Sequence, residues 1–304
     1  MKRSLPCLIF TLEIVALLFA SCATKAPPPA QASAPPPQAA PAQPANPTPA
    51  KVAKQRTVER KVPVLVKESS FYPDGLADEY IVYKLDDAKK NVIEKDVYDA
   101  SRPDPIQRVV SDFKDGRLAS ESVFESDGSL RSRRDLAYDT SGLPAQETIF
   151  DAKGKPQSSS AYSYDASGRK AEWKALDASG SVKAVSDYAY GSSGLVGVEM
   201  KDSGGKPAGR IELEYADGKL AKRSYFGADG SLQKFESYAY SDGLLATVEY
   251  RGADGSLVSK TSYSYGPSGE LVKAAESGPS GAPGEYTTYE YAVRVDDSVE
   301  TYYE

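Results

Sequence analysis

From about residue 110 onward, hydrophobic and polar residues alternate along the chain, as expected for β-strands with two different faces. In the stretch SLQKFESYAY, residues 231–240, Leu232, Tyr238 and Tyr240 occupy alternate positions, and Lys234 and Glu236 lie between them. Apolar residues thus mark the strand ends and polar residues the middle. The pattern predicts consecutive antiparallel strands of about 8 and about 10 residues, which are ordinary strand lengths.

A recurring four-residue phrase separates these strands. Asp165-Ala-Ser-Gly168 returns as Asp177-Ala-Ser-Gly180. Asp suits the first position of a type I turn, and Gly suits the left-handed position that follows, which gives a bulge and matches the strand twist. The phrase therefore predicts a hairpin turn rather than an active loop. The glycines that close such turns are Gly116, Gly128, Gly142, Gly154, Gly168, Gly180, Gly194, Gly205, Gly218, Gly230, Gly243, Gly255 and Gly269.

The turns define an internal repeat of 25 or 26 residues. An aromatic residue precedes every second turn at this period, in the series Phe113, Tyr138, Tyr164, Tyr190, Tyr215, Tyr240 and Tyr265. A fixed period of this length is typical of repeat architectures, in which each repeat contacts mainly its neighbours. We therefore predict an all-β fold, a repetitive antiparallel β-meander of about 15 strands in two-hairpin repeats. The expected shape is an elongated, twisted or spiralling sheet.

The N-terminus has the features of an export signal. Lys2 and Arg3 precede an apolar run, LIFTLEIVALLFA, and small residues lead to Cys22. The run is shorter than the roughly 20 residues that span a bilayer. The stretch resembles the lipobox of bacterial lipoproteins. That resemblance implies cleavage before Cys22 and its acylation, for example by palmitate, so that several acyl chains hold the protein on the lipid bilayer. The alternative is an ordinary secretory signal with an incidental cysteine.

We divide the chain into five segments. Residues 26–50 are almost entirely Pro, Ala and Gln, a composition that favours extended polyproline II and makes a spacer. The basic stretch that follows, residues 51–61, is either a contact for acidic lipid or wall polymer or a solvated linker end. The segments are a signal peptide (1–21), a Pro/Ala-rich tether with a basic end (22–62), irregular N-terminal capping strands (63–110), the β-repeat array (111–278), and a C-terminal capping strand and tail (279–304).

Composition narrows the range of functions. The formal net charge is -6 with both signs interleaved, which argues against nucleic acid as a partner. The chain has no histidine, which removes the commonest general base and the commonest zinc ligand. The two cysteines, Cys7 and Cys22, both lie near the N-terminus. We therefore expect no catalytic site, no metal site and no cofactor.

The turns also carry a family resemblance. YDTSGL at 138–143 and YDASGR at 164–169 resemble the YD repeats of the Rhs family, and the tyrosine and glycine spacing is similar to that of MORN-like lipoproteins. The resemblance covers roughly residues 110–275. It implies long, strip-like sheets and an association with carbohydrate binding or toxin delivery.

The repeated tyrosines are the candidate functional residues. Their rings offer flat apolar faces with hydroxyl groups, which suit sugars or protein partners, but they also serve cross-strand packing. We expect an outer-membrane lipoprotein of the bacterial cell envelope that binds glycan or protein through these residues; the alternative is a passive structural lipoprotein without a specific ligand. The candidate residues are Tyr162, Tyr164, Tyr188, Tyr190, Tyr215, Tyr238, Tyr240, Tyr263 and Tyr265.

Overall fold

A computed structural model of the chain describes residues 53–303, which form 18 β-strands joined by short turns. No helix in this part of the chain is long and apolar enough to cross a membrane. The strands are β1 (Ala53–Phe71), β2 (Ala77–Leu85), β3 (Val92–Asp99), β4 (Gln107–Lys114), β5 (Arg117–Glu125), β6 (Leu130–Tyr138), β7 (Pro144–Asp151), β8 (Pro156–Tyr164), β9 (Lys170–Asp177), β10 (Val182–Gly191), β11 (Gly194–Asp202), β12 (Pro207–Ala216), β13 (Lys219–Gly227), β14 (Leu232–Ser241), β15 (Leu244–Gly252), β16 (Leu257–Tyr265), β17 (Leu271–Ser277) and β18 (Pro283–Tyr303).

The strands form one closed barrel. Each strand pairs antiparallel with the next along the chain, and β18 pairs with β1 to complete the ring. The closing register runs from Ala53 opposite Tyr303 to Phe71 opposite Tyr286. The prediction of an open, elongated sheet of about 15 strands was therefore wrong. An open strip leaves two unpaired edges, and this chain removes both by pairing its first and last strands.

The closing strands are longer than the rest. β2 begins to pair with β1 only near Lys67, and β17 pairs with β18 no further than Thr288. The remaining halves of β1 and β18 pair only with each other and form a two-stranded ribbon. The ribbon joins the basic residues 54–61 to the acidic C-terminal residues, with Arg56 Nη2 2.9 Å from Glu300 Oε2.

The predicted type I turn with a left-handed glycine is confirmed at turns such as 165–169, but at three Asp-Gly turns Asp115, Asp217 and Asp242 also have positive φ, so both central residues are left-handed, as in a type I′ turn. Every turn glycine named in the sequence has a positive φ, from 74° to 128°. In the turn 165–169, the Asp165 N–H donates to the Arg169 carbonyl (2.8 Å) and the Gly168 N–H donates to the Asp165 carbonyl (2.9 Å). The Asp165 carboxylate accepts the Ser167 N–H at 2.9 Å. This is a type I turn followed by a left-handed glycine.

Gly168 offers a direct test of these turns. It has a φ of 74°, whereas Gly197 lies within β11 and a Cβ there would meet the Ile211 carbonyl oxygen at an ordinary 3.5 Å. We expect Gly168→Ala to lower the free energy of unfolding by about 1 kcal/mol or more, because an L-residue is strained in this conformation. Gly197→Ala is the matched control and should change it much less. Equal shifts in thermal denaturation would contradict the assigned turn.

Neighbouring strands supply the stability of the barrel. Within residues 53–303, no strand comes within 8 Å (Cα–Cα) of any strand other than its hydrogen-bonded neighbours. None of the large side chains described there is fully buried, and the buried apolar residues are Val198, Ile211 and Val248. The fold therefore depends on strand ladders and cross-strand pairs instead of a dense central core.

Candidate functional site: the tyrosine face

The antiparallel register places all the candidate tyrosines on one face of the sheet, which we call the tyrosine face. Tyr162 lies opposite Trp173, which lies opposite Ser186. Tyr188 lies opposite Val198, and Tyr238 opposite Val248. The same face continues from Val198 through Ile211 and Tyr225 to Lys234, and from Val248 to Thr261. Since side chains alternate along each strand, the remaining candidates, two or four residues from these, share this face.

The tyrosine face is the more buried side of the sheet. Val198, Ile211 and Val248, with exposed fractions of 3%, 7% and 3%, all lie on it. In a closed barrel, side chains converge on the concave side and diverge on the convex side. We therefore assign the tyrosine face to the interior of the barrel.

The opposite face carries charged side chains together with phenylalanines such as Phe150, Phe226 and Phe235. Ion pairs join neighbouring side chains along it, such as Lys201 with Asp187 (2.6 Å) and Arg251 with Glu249 (2.7 Å). Charged pairs at this exposure are well solvated and add little stability. These charged side chains can therefore stay solvated on the outer surface of the barrel.

One row of tyrosines lies at the strand ends and joins neighbouring hairpins. The Tyr164 hydroxyl donates to the Pro144 carbonyl at 2.6 Å, which links β8 to the far end of β7. The turn that joins β7 to β8 lies at the other end of the barrel. At this end, turns join β6 to β7 and β8 to β9, so the hydrogen bond links two hairpins that no turn connects here. We call these residues the terminal tyrosines. Equivalent bonds run from Tyr138 to Leu118, Tyr190 to Lys170, Tyr215 to Leu195, Tyr265 to Leu245 and Tyr291 to Leu271.

A second row, the inner tyrosines, lies two residues closer to the middle of the strands. The Tyr162 hydroxyl donates to Glu147 Oε2 at 3.0 Å, and the Tyr238 hydroxyl donates to the Glu236 carboxylate. Burial, followed by the charge of Glu147, raises the pKa of Tyr162 to about 12. Burial also raises the pKa of Tyr263 to about 12. The inner phenols are thus stabilised in their neutral, hydrogen-bond-donating form.

Two ionic clusters lie among the inner tyrosines. In the first, Arg134 bridges Glu121 and Glu147, with Nη1 3.1 Å from the Glu147 carboxylate. Lys170 lies nearby, 4.7 Å from the centre of the Tyr162 ring, and burial lowers its pKa.

The second cluster is centred on Glu236, which is only 8% exposed. Its carboxylate accepts the Tyr225 hydroxyl at 2.8 Å and the Arg223 guanidinium at 3.3 Å, besides the Tyr238 hydroxyl. A buried carboxylate satisfied in this way is strongly destabilising to disrupt, because its partners would lose their counter-charge. Like Arg134, Glu236 therefore fixes the positions of the side chains around it on the tyrosine face.

The sequence identified the tyrosines but not the charged residues that hold them. The sequence pattern placed Glu236 among the mid-strand polar residues, and nothing in it singled out Glu147. The available signal was a carboxylate two residues from a tyrosine, as in Glu236 and Tyr238, because such neighbours share a strand face. Cys22, the predicted lipid attachment site, lies outside the described residues.

The tyrosine face combines aromatic rings, hydroxyl groups and paired charges. Such a surface can stack against a ligand ring and exchange hydrogen bonds with it. In the described residues no group of three or more His, Cys, Asp or Glu side chains converges to hold a metal ion.

The raised pKa values predict sensitivity to alkali. A phenol whose pKa is higher in the folded state adds stability that is complete below its unfolded pKa of about 10 and is lost as pH rises through the folded value of about 12. We expect phenolate absorbance and circular dichroism to change together in this range. Replacing Tyr162 and Tyr263 with Phe should move the alkaline midpoint upward. An alkaline midpoint that is the same in the Phe variants and the parent protein would contradict this.

The fold and the face define the class of protein: a closed antiparallel barrel of tandem hairpins with a tyrosine-lined interior. No protein-family model matches the chain. No curated protein matches it either.

Similarities to solved structures are distant. The Photorhabdus luminescens Tc holotoxin pore shares 14% identity over 71% of this chain and 12% of that chain, with a TM-score of 0.34. A porin-like protein from Bacteroides uniformis shares 11% identity over 75% of this chain and 98% of that chain, with a TM-score of 0.41. A porin-like protein from Bacteroides vulgatus shares 10% identity over the same proportions, with a TM-score of 0.31. The present chain thus spans about an eighth of the toxin chain. These values are too low to transfer a function.

Proposed function

We propose that this protein is a bacterial envelope lipoprotein, held on the outer membrane through acylated Cys22, whose barrel binds a glycan or protein ligand on its tyrosine face. The observation that carries the proposal is the wall of half-buried inner tyrosines ordered by carboxylates. Ordered rings bind with a smaller entropic cost than mobile ones, because their rotamers are fixed before the ligand arrives. The proposal includes no catalytic step.

The anchoring part of the proposal rests on the sequence around Cys22. Residues 23–52 connect that cysteine to β1, which begins at Ala53. An extended Pro-rich connection of this length would let the barrel sample ligands away from the bilayer surface.

The passive structural alternative also has an observation in its favour. The terminal tyrosines use their hydroxyl groups to join hairpins, as Tyr164 does with the Pro144 carbonyl. These residues would be needed even in a barrel without a ligand. The inner tyrosines distinguish the two functions, because the hydroxyl groups of Tyr162 and Tyr238 donate to carboxylate side chains instead of the main chain.

The experiment tests anchor and ligand separately. We expect the full chain to partition into the detergent-rich phase and Cys22→Ser into the aqueous phase. Unchanged partitioning would contradict lipid anchoring.

The Cys22→Ser chain, free of the anchor, would then be used to capture envelope glycans and proteins. Further replacement of Tyr162 and Tyr188 by Ala should weaken capture. Phe235→Ala, on the opposite face of β14, is the matched control. Capture that depends on Phe235 and not on the tyrosines would overturn the assigned face, and no capture at all would favour the structural alternative.

A further inference from the structure

The row of terminal tyrosines has one exception. Across the described strands, the hydroxyl groups from Tyr138 to Tyr291 donate to the main-chain carbonyl 20 residues earlier, but Tyr240 makes no such bond to Leu220. Tyr240 is also 37% exposed. Its hydroxyl group is therefore available to a ligand where the equivalent groups are committed to the barrel.

A pocket lies beside this tyrosine. It has a volume of about 290 Å³, and its lining includes Asp217, Lys219, Leu220, Tyr238 and Tyr240. Lys219 Nζ lies 5.1 Å from the centre of the Tyr240 ring and donates to the Gly243 carbonyl at 3.3 Å. Tyr238 lines the same pocket and is held in place, because its hydroxyl group donates to the buried Glu236.

The chemistry of the lining selects the ligand. An exposed aromatic ring and a leucine offer apolar surface, while a phenol, an ammonium group and a carboxylate offer hydrogen bonds on several sides. The two charges are opposite, so the pocket favours no strongly charged ligand. Its volume lies at the lower end of the range for ligand sites, which suits a single ring. A pyranose matches this combination, since its C–H groups contact an aromatic face and its hydroxyl groups both donate and accept.

We propose that this pocket is a saccharide-binding site that holds one neutral pyranose unit of an oligosaccharide, with Tyr240 as its platform. The inference rests on the proposed function and names the ligand class and the position on the tyrosine face. The Tyr240 hydroxyl and Lys219 would hydrogen-bond the ring substituents, and Leu220 would complete the apolar contact.

The test measures binding of chitohexaose and cellohexaose by titration calorimetry, with the full chain carrying Cys22→Ser. We expect one of these sugars to bind. Tyr240→Ala should lower its affinity at least about tenfold, and Tyr240→Phe should lower it about two- to tenfold, the usual effect of losing one hydrogen bond.

Tyr138→Phe is the matched control. Tyr138 also follows a hairpin with an Asp-Gly turn and lies under a cationic side chain, with Arg117 5.6 Å from its ring centre, but its hydroxyl donates to the Leu118 carbonyl. This variant should melt at a lower temperature and bind the sugar with unchanged affinity. Tyr240→Phe should instead bind the sugar more weakly and melt at an unchanged temperature.

Two outcomes would overturn the inference. Sugar affinity that is equal in the Tyr240→Ala and parent proteins would place the glycan elsewhere on the barrel, and the proposed function would stand. Failure of the parent protein to bind either hexasaccharide would overturn this site as a neutral-saccharide site. The separate capture experiment would still decide whether the tyrosine face binds a protein.

Discussion

Truncation after Gly278 is expected to abolish the folded monomer, whereas truncation after Tyr291 is not. The first removes β18 entirely, so β1 and β17 both become unpaired edges of an open sheet. Long exposed edges pair with other chains and aggregate. The second removes only the ribbon half of β18 and keeps the pairs between Tyr286 and Phe71 and between Tyr291 and Leu65.

Size-exclusion chromatography and circular dichroism would distinguish the two truncations. The chain ending at Tyr291 should remain a monomer with a sheet-type spectrum and cooperative thermal unfolding. The chain ending at Gly278 should form soluble aggregates or precipitate. If it remained a cooperatively folded monomer, closure by β18 would not be a requirement of this fold, and the barrel would behave as an open array with a dispensable last strand.

The strands and turns could be predicted from the sequence because both are local. Asp165 and Gly168 determine their turn through contacts within five residues, and the alternation around Tyr238 determines which side chains share a face. Closure is not local, because Arg56 and Glu300 meet only when the whole meander has curved around. The available signal was the opposite charge of residues 54–61 and the chain end, but the basic stretch was interpreted by itself, as a contact for acidic lipid or wall polymer or as a solvated linker end.

The candidate site could likewise be predicted only in its local part. Alternation placed the tyrosines on one face, as the register confirms, but it could not separate the terminal row from the inner row. That distinction depends on which group each hydroxyl reaches across the neighbouring strand, as with Tyr164 and Pro144 or Tyr162 and Glu147. Nor could a regular repeat reveal that Tyr240 alone departs from the terminal pattern of the described strands.

The repeat itself predicts which internal deletions the barrel tolerates. Excision of residues 165–190 removes β9 and β10 with their turns and joins Tyr164 to Gly191, so that β8 takes the place of β10. The bond from Tyr164 to Pro144 is retained, as is the next one from Tyr215 to Leu195. The remaining strands are even in number and alternate in direction, so an antiparallel barrel can still close.

Excision of residues 165–177 removes β9 alone and should be far more damaging. It joins the end of β8 to β10, which runs in the same direction, and parallel neighbours need a crossover of a dozen or more residues, which the few residues left between them do not provide. An odd number of strands also prevents antiparallel closure by the same chain ends. We expect the longer deletion to give a smaller, cooperatively unfolding monomer and the shorter one to aggregate, as judged by circular dichroism and gel filtration. The opposite ranking would show that loss of length, rather than strand direction and closure, determines whether this barrel folds.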